Sequence, residues 1–324
     1  MAAMSRILVL AEQRDGRPLT VALELIGQAR HLAGEVDALT WGAGAAGAAV
    51  ELGAHGARRC FSLGDLDGAL AAPRVAAAVA GGLGAGDLPD AVLAATTYDG
   101  RDVLARLSAR LDLPVLTNVV GLDDVGGALV SSHAVLGGSR VVRARFTGPG
   151  PALFLVRPKS FAAEPVADGA AELIELEAPP AGPTDAAQVL ARHVESRGGP
   201  SLDDASVVVS GGRGLGSPEH YALVEELAGL LGGAPAASRA IVDAGWVPYA
   251  YQVGQTGKTV KPVVYLAFGI SGATQHLVGM RGAQHVVAVN KDPSAPIFGL
   301  ADLGVVGDVH QVLPKLVEAI RARL

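Results

Sequence analysis

The stretch "SVVVSGGRGLGSPEHYALVEELAGLLGG", residues 206–233, joins a short β-branched run, a glycine cluster and a helical pattern. The apolar run at its start is typical of a buried strand. Ser217 and Pro218 mark the start of the helix, as N-cap and first helical residue. A strand, a glycine-rich turn and a helix in this order predict the βα unit of an open α/β sheet. Such sheets bind nucleotides at this turn.

The glycine cluster does not complete the dinucleotide fingerprint G-x-G-x-x-G. Counting from Gly212 through Gly214, the last glycine position falls on Ser217, and no acidic residue follows a second strand at the required spacing. The spacing leaves two interpretations open. The cluster is either part of a nucleotide site or a tight turn whose glycines are required for steric reasons.

Three further strand-like runs of the second half lead into small polar residues, namely Ser271, Asn290 and Asp308. Ser271 and Gly272 also open a helical pattern, where free backbone N–H groups suit an anion. Carboxyl ends of parallel strands form the ligand edge of such sheets. The pattern therefore favours a large nucleotide-like ligand without naming it.

The string Gly257-Lys258-Thr259 resembles the end of a phosphate-binding P-loop. The first glycine of that motif would have to stand at Gln252, and the motif must open a helix. The β-branched run that follows contains Pro262 and predicts a strand. Both requirements fail, so the sequence argues against a P-loop.

The composition describes a compact protein of about two domains. The chain has 324 residues, of which 50% are hydrophobic and 4% aromatic, and its formal net charge is −6. The negative charge argues against nucleic acid as the main partner, because phosphates require a basic face. The apolar runs are shorter than the roughly 18 uncharged residues of a membrane span. With a strand-like run beginning at Arg6, we expect no signal peptide and a cytoplasmic location.

Metal and thiol chemistry are not indicated. Cys60 is the only cysteine, which excludes a disulfide framework and a thiolate cluster, and its apolar setting predicts a buried structural thiol. The eight histidines form no spaced metal-ligand set with carboxylates.

The first half alternates between strand-like runs and helical patterns of 10–15 residues. The strand-like runs are "RILVLAE", "VDALTW", "RRCFSL" and "DAVLAATT". This alternation predicts a parallel sheet covered on both faces. Between residues 128 and 176 the runs are "ALVSSHAVLG", "RVVRARFTG", "PALFLVRP" and "AAELIELE", divided by glycine turns. They predict an antiparallel extension of that sheet.

A Pro/Gly-rich stretch, "EAPPAGPTD" at residues 177–185, predicts the start of a linker, and a helical run "AAQVLARHVES" follows it. A second α/β system begins at residue 206. We therefore expect an N-terminal α/β domain of residues 1–195 and a C-terminal α/β domain of residues 196–324.

Several long strings of the second half resemble the alpha subunit of electron transfer flavoproteins. They are "VVVSGGRGLGS", "ASRAIVDAGWVPYAYQVGQTGKTVKPVVYLAFGISGATQH", "VVAVNKDPSAPIF" and "ADLGVVGD". The first half matches more loosely, through "ILVLAE" and "TTYDGRDVLARLSARLDLP". Thr274 departs from the family, which more often has a branched apolar residue there.

The resemblance implies that the second domain is a Rossmann-like FAD-binding domain. The flavin-contacting positions that it implies are Arg213, Ser238, Arg239, Val253, Gly254, Gln255, Thr256, Ser271, Gly272, Ala273, Thr274, Gln275, His276, Asn290, Asp308 and Val309.

Roles follow from the chemistry of these side chains. Arg239 and His276 are candidates for the cation or donor near N1 and C2=O of the flavin, where negative charge grows on reduction. The hydroxyl of Thr256 suits the N5 edge, and the amide of Gln255 suits the ring rim or ribityl chain. Trp246 is either a stacking aromatic or a packing and partner-contact residue.

The remaining polar members suit the dinucleotide part of the cofactor. Ser238 and the turn at Ser271 can donate to the pyrophosphate. Asn290 and Asp308 suit hydroxyls of the adenosine half.

The resemblance further implies a non-enzymatic carrier. It would take single electrons from flavin dehydrogenases, such as the acyl-CoA dehydrogenases of fatty acid β-oxidation, and pass them to a membrane quinone oxidoreductase or another acceptor. It also implies a heterodimer with a beta subunit, whose interface includes the first domain. Two alternatives remain: an NADH-linked or bifurcating flavin oxidoreductase, and a structural nucleotide-binding module.

Overall fold

The computed structural model of the chain describes residues 4–85, 88–138, 140–166, 169–191, 200–202 and 205–323. The chain divides into two compact units, Met1–His193 and Val194–Leu324. The boundary expected near residue 195 lies outside the described residues.

The first unit is built on a nine-stranded sheet in the order β11-β5-β4-β1-β6-β10-β7-β8-β9, and β2 with β3 forms a small separate hairpin. Its elements in chain order are β1 (Met4–Leu10), β2 (Gln13–Arg14), β3 (Arg17–Pro18), α1 (Thr20–Leu32), β4 (Ala33–Thr40), α2 (Ala45–Ala54), β5 (Arg59–Ser62), α3 (Ala71–Ala80), α4 (Gly82–Ala85), β6 (Ala91–Ala95), α5 (Tyr98–Leu111), β7 (Val115–Val125), β8 (Ala128–Val135), β9 (Arg140–Ala144), β10 (Ala152–Val156) and β11 (Glu172–Glu175).

Helices cover both faces of the parallel part of this sheet, as the alternation in the sequence predicted. Ile7 and Val9 of β1 pack with α1 and α2 on one face. Leu8 and Leu10 pack with α3 and α5 on the other. Both faces of the sheet are buried here, which is why residues 7–10 of β1 form a continuous apolar run.

The prediction of an antiparallel extension of the sheet is correct only in part. Strands β7, β8 and β9 pair antiparallel, but β10 pairs parallel with both β6 and β7, and β11 pairs parallel with β5. In "PALFLVRP" the successive residues Leu153, Phe154, Leu155 and Val156 are all buried. That continuous burial is typical of a central parallel strand, whereas an edge hairpin alternates.

The stretch predicted to begin a linker is anchored to the first unit instead. The carboxylate of Asp185 lies 3.1 Å from Nε of Arg74, and the N–H of Val189 donates to the carbonyl of Gly68. Its prolines and glycines form turns, including a 3₁₀ turn at Gly182–Ala186. Residues 187–191, predicted as helical, are not helical, and residues 192–196 of that run lie outside the described part.

The second unit is a parallel five-stranded sheet in the order β13-β12-β14-β15-β16. Its elements are β12 (Val207–Gly211), α6 (Ala222–Leu230), β13 (Ala234–Ala237), α7 (Arg239–Asp243), β14 (Val264–Phe268), α8 (Thr274–Met280), β15 (His285–Asn290), β16 (Leu303–Val306) and α9 (Val309–Arg321). The two-unit α/β fold class expected from the sequence is confirmed.

Two local features of this unit differ from expectation. Strand β13 was not predicted, because its sequence is short and contains Pro235; a proline fits only at a sheet edge, which is where β13 lies. Before α6 the chain forms a 3₁₀ turn, Pro218–Tyr221, with Ser217 at the N-cap position. The Ser217 side chain makes no capping hydrogen bond, and its hydroxyl lies 3.2 Å from Nδ1 of His220.

Candidate functional site

A cavity of about 680 Å³ lies in the second unit. The loops that line it follow β12, β13, β14 and β15, whose carboxyl ends share one edge because the strands run parallel. The lining residues are Arg213, Gly214, Ser238, Arg239, Ala240, Asp243, Gln252, Val253, Gly254, Gln255, Thr256, Gly269, Ile270, Ser271, Ala273, Gln275, His276 and Asn290.

Glycines bring the loops after β12 and β14 into backbone contact. The N–H of Gly212 donates to the carbonyl of Phe268, and the N–H of Gly214 donates to the carbonyl of Gly269, both at 2.9 Å. A Cβ on Gly214 would lie 2.7 Å from the Cα of Gly269. The glycines are therefore required for steric reasons, because the two loops touch through their backbones. The close packing that they allow also forms a wall of the cavity.

The turn into α7 supplies a cation and a carboxylate. The N–H of Ser238 donates to the carbonyl of Gly211, which ties the helix start to β12. Nε of Arg239 lies 3.0 Å from the carboxylate of Asp243, and both side chains are largely exposed, at 66% and 60%. Asp243 was not predicted, although its i,i+4 spacing from Arg239 is the signal for such a pair.

The loop from Gln252 to Lys258 closes on itself and does not wrap a phosphate. The N–H of Lys258 donates to the carbonyl of Gln252, and the N–H of Gly254 donates to the carbonyl of Lys258. A Cβ on Gly257 would lie 2.3 Å from that same Gln252 oxygen, so only glycine fits there. The chain then continues to β14 without forming a helix, in agreement with the rejection of a P-loop.

Side chains and backbone hold the middle of this loop in place. Nε2 of the buried Gln252 donates to Oγ1 of Thr256 at 2.9 Å, and the hydroxyl of Tyr249 donates to the Thr256 carbonyl. The N–H of Gln255 donates to the carbonyl of Gln275, at the start of α8. Because its oxygen accepts from Gln252, the Thr256 hydroxyl keeps its own proton for another acceptor.

His276 is buried, which favours the neutral donor among the two roles that the sequence left open for it, cation or donor. The side chain is 7% exposed, and burial lowers the pKa of the imidazole to about 4. Nε2 lies 3.0 Å from the hydroxyl of Tyr265. Nδ1 makes no hydrogen bond of ordinary geometry among the described residues, and the nearby carbonyl of Val253 opposes the lowering of the pKa. A neutral ring can still donate through one nitrogen.

The loop after β14 is fixed by the end of β15 and by the 3₁₀ turn that follows it, Pro296–Gly299. Nδ2 of Asn290 donates to the carbonyl of Ile270, and the N–H of Ile297 donates to the carbonyl of Ser271. Gly272 has a φ of +83°, and a Cβ there would lie 2.3 Å from the nitrogen of Ile297. Gly272 is thus needed for packing and does not line the cavity.

Twelve of the sixteen residues implied by the resemblance line the cavity, and four do not. The four are Gly272, Thr274, Asp308 and Val309. Thr274 is exposed, and the side chain of Val309 is buried in the core against α6. The carboxylate of Asp308 caps α9 by accepting from the N–H of His310, and its contact with the adenosine half stays a prediction.

Six lining residues were outside the predicted set, namely Gly214, Ala240, Asp243, Gln252, Gly269 and Ile270. Gln252 had the clearest signal, as a polar residue beside an apolar run. Trp246 does not line the cavity; it is half-buried against the core, which favours the packing interpretation.

The other candidates are structural. Cys60 is buried in the first unit, and burial raises the pKa of its thiol to about 11, so the expected inert thiol is confirmed. In the described part of the chain no cluster of three or more His, Cys, Asp or Glu side chains could hold a metal ion. Within the same ranges no helix combines the length and the apolar character needed to cross a membrane.

Two family models match the chain. The electron transfer flavoprotein domain matches residues 7–181. The electron transfer flavoprotein FAD-binding domain matches residues 201–281, a range that contains every lining residue of the cavity except Asn290.

Relatives are similar along almost the whole chain. The electron transfer flavoprotein subunit alpha of Mycobacterium tuberculosis is 45% identical, covering 99% of this chain and 99% of its own length. The protein of the same name from Mycobacterium leprae is 43% identical, with the same coverage of both chains. That from Thermoanaerobacterium thermosaccharolyticum is 37% identical and covers 97% of each.

Proposed function

Because the chain belongs to the alpha-subunit family of electron transfer flavoproteins, we propose that it is the FAD-holding subunit of a heterodimeric electron carrier. The resemblance found in the sequence strings is confirmed over nearly the full length, and FAD is the cofactor. In this proposal the carrier takes single electrons from flavin dehydrogenases, such as the acyl-CoA dehydrogenases of fatty acid β-oxidation. It delivers them to a membrane quinone oxidoreductase or another respiratory acceptor.

The observation that carries the proposal is the cavity at the carboxyl edge of the second sheet. Its volume of about 680 Å³ is that of a cofactor pocket, and its glycine wall permits close approach of backbone to a ligand. Nδ1 of His276 is a buried polar atom without a partner among the described residues. Leaving such an atom unsatisfied costs about 1–3 kcal/mol, so an acceptor on a bound cofactor would stabilise the site.

The charge of the lining also fits FAD. Arg213 and Arg239 contribute two guanidinium groups, and Asp243 is the one carboxylate among the lining residues. The excess of positive charge suits a cofactor with a pyrophosphate. Small polar side chains, Ser238 and Ser271, lie on the same lining and can donate hydrogen bonds to phosphate oxygens.

When bound, FAD supplies reversible one-electron and two-electron transfer at its ring system. The positive charge of Arg239 would stabilise the flavin ring when it carries an extra electron. The ion pair with Asp243 weakens this effect. His276 would act as a neutral donor, and Thr256 would offer a hydroxyl proton from a loop held by Gln252. These residues bind and tune the cofactor and perform no proton transfer in this scheme.

The partner subunit is also part of the proposal. The relatives are named alpha subunits, which supports a heterodimer with a beta subunit, and we propose that the first unit forms part of that interface. A cytoplasmic location belongs to the same proposal.

The test is a visible absorption spectrum of the chain co-purified with its beta subunit, followed by reduction. We expect a yellow complex that an acyl-CoA dehydrogenase with its substrate reduces quickly and that NADH reduces very slowly. Fast reduction by NADH would instead support a bifurcating or NADH-linked oxidoreductase. A colourless complex that FAD cannot reconstitute would support a structural nucleotide-binding module.

A further inference from the structure

The hydroxyl of Tyr265, a residue of β14 that does not line the cavity, makes a hydrogen bond to His276. Tyr265 lies on β14 with 0% of its side chain exposed, and its oxygen is 3.0 Å from Nε2 of the imidazole. Burial raises the pKa of the phenol far above its ordinary range, so the hydroxyl keeps its proton. The contact therefore joins a neutral phenol to a neutral imidazole.

A third polar side chain, Ser210 on β12, lies on the same face of the sheet. Tyr265 is paired with Val208, so Ser210 is its diagonal neighbour, within reach of a long side chain. Ser210 is 0% exposed, and its hydroxyl makes no hydrogen bond of ordinary geometry. The hydroxyl nevertheless interacts with the phenol of Tyr265 and opposes the rise of its pKa. The three groups form a short buried chain of polar atoms.

The two directions of donation along this chain differ in where the leftover proton lies. If Ser210 donates to Tyr265 and Tyr265 donates to Nε2 of His276, the one donor left over is an N–H at Nδ1 of His276, near the carbonyl of Val253 and on a residue that lines the cavity. If the chain runs the other way, the Ser210 proton ends without an acceptor among the described residues, in a fully buried position. A buried unsatisfied donor costs about 1–3 kcal/mol, which favours the first direction.

We propose that Tyr265 is a positioning residue that fixes His276 in the tautomer protonated at Nδ1, so that the imidazole presents a hydrogen-bond donor to the cavity. The inference rests on the proposed function in one respect, because the acceptor in the cavity would belong to FAD. The tautomer itself is a property of this chain with or without cofactor.

The tautomer can be read directly from nitrogen chemical shifts of histidine in the ¹⁵N-labelled complex with its beta subunit, first without FAD. We expect Nδ1 of His276 to be protonated and Nε2 to be an acceptor. The variant Tyr265→Phe should give a mixture of tautomers. A protonated Nε2 in the unmodified complex, or an unchanged tautomer in Tyr265→Phe, would overturn the proposal.

Two further variants separate positioning from packing. Tyr221→Phe removes another buried hydroxyl of the same unit, one that donates to the carbonyl of Ala236, and it should leave the His276 signals unchanged. Ser210→Ala removes the far end of the chain. It should keep the Nδ1 proton in place. If the chain ran in the opposite direction, Nε2 would carry the proton before the substitution, and Ser210→Ala would move it to Nδ1 because Tyr265 would lose its acceptor.

The consequence for the cofactor is measured by titrating FAD into the same complexes. Tyr265→Phe should weaken FAD binding about 2- to 10-fold, the range expected for one hydrogen bond. In a His276→Asn background the same substitution should have no effect on affinity. An equal effect in both backgrounds would show that Tyr265 acts by packing and would refute positioning. Absence of FAD binding by the unmodified complex would refute the proposed function, and the cofactor-free tautomer would still decide the role of Tyr265.

Discussion

Gly214 and Gly269 meet backbone to backbone at the carboxyl edge of the second sheet, where the N–H of Gly214 donates to the Gly269 carbonyl across 2.9 Å. Gly269 has a φ of +64°, a left-handed conformation that favours glycine. The loops after β12 and β14, both of which line the cavity, are therefore held together here by main-chain contact.

This contact predicts that Gly214→Ala destabilises the second unit and weakens FAD binding. The new Cβ would lie 2.7 Å from the Cα of Gly269, so the loops must separate. We expect a loss of about 1–3 kcal/mol in the free energy of unfolding, measured with urea, together with a weaker FAD affinity measured by titration.

The matched control is Gly229→Ala in α6, where an added Cβ meets no atom within 4 Å. That variant should be stabilised by up to about 1 kcal/mol, because alanine favours the helix. Equal effects of the two substitutions would refute the steric account of the glycine cluster.

Arg239 and Asp243 should shift the flavin potential in opposite directions. Arg239→Ala removes positive charge from the cavity and should lower the potential, whereas Asp243→Asn removes the partner that reduces that charge and should raise it. Both side chains are largely exposed, so the expected shifts are small, about 10–40 mV each.

The measurement is a spectroscopic redox titration of the FAD complex at two ionic strengths. The shifts should shrink at high salt, since exposed charges are screened. An unchanged potential in Arg239→Ala with normal FAD binding would contradict the role assigned to this residue.

Glu12 in the first unit should make stability depend on pH. Burial raises the pKa of Glu12 to about 7, while the hydroxyl of Thr97 donates to its carboxylate and opposes the rise. A carboxyl with a raised folded-state pKa adds stability that is complete below its unfolded value, 4.5, and is lost as the pH rises through 7. Glu12→Gln should therefore gain stability relative to the parent chain between these pH values, by about 3 kcal/mol at most.

Urea unfolding at a series of pH values from 4 to about 8 measures this difference. Glu175→Gln removes the same charge from an exposed position on β11 and serves as the control. A constant difference between Glu12→Gln and the parent chain across the series would show that Glu12 titrates normally in the folded protein.

Asp37 and Arg59 should form the most stabilising ion pair of the first unit. Both guanidinium contacts are short, 2.6 and 2.9 Å, and the side chains are 3% and 21% exposed. Asp37→Ala would leave a half-buried charge without its partner and should cost about 3 kcal/mol in the free energy of unfolding.

The exposed pair Asp102 and Arg106 in α5 offers the comparison, since its members are also joined at short distance, 2.8 Å. Asp102→Ala should cost about 0.3–0.5 kcal/mol, the usual value of an i,i+4 helix pair. Similar losses from the two substitutions would mean that burial does not strengthen the Asp37 pair.

Much of the fold could be predicted from local pattern. Burial of both sheet faces explains the continuous apolar run in β1 and the helical period of α1. Each pattern can be recognised within about ten residues of sequence. The position of β10 could not be predicted, because a strand's partner depends on contacts between residues far apart in the chain. Only its continuous burial distinguishes it from the antiparallel hairpin beside it.

The candidate site could also be predicted from the sequence only in part. Residue types and strand ends predicted that a nucleotide-like ligand binds at one sheet edge, and the family resemblance named the residues. The sequence strings did not show that the carboxylate of Asp308 also caps α9, because that contact depends on the local turn before the helix.

By itself the sequence determined most of the strands and helices, the two-unit α/β class and the residue types available at the ligand edge, because these depend on periodicity and on local turn chemistry. Only the tertiary structure decided that His276 is neutral, that Tyr265 is its partner and that Gly214 must be glycine. A pKa depends on burial, a buried hydrogen bond depends on which strands are neighbours, and a steric limit depends on the loop packed opposite.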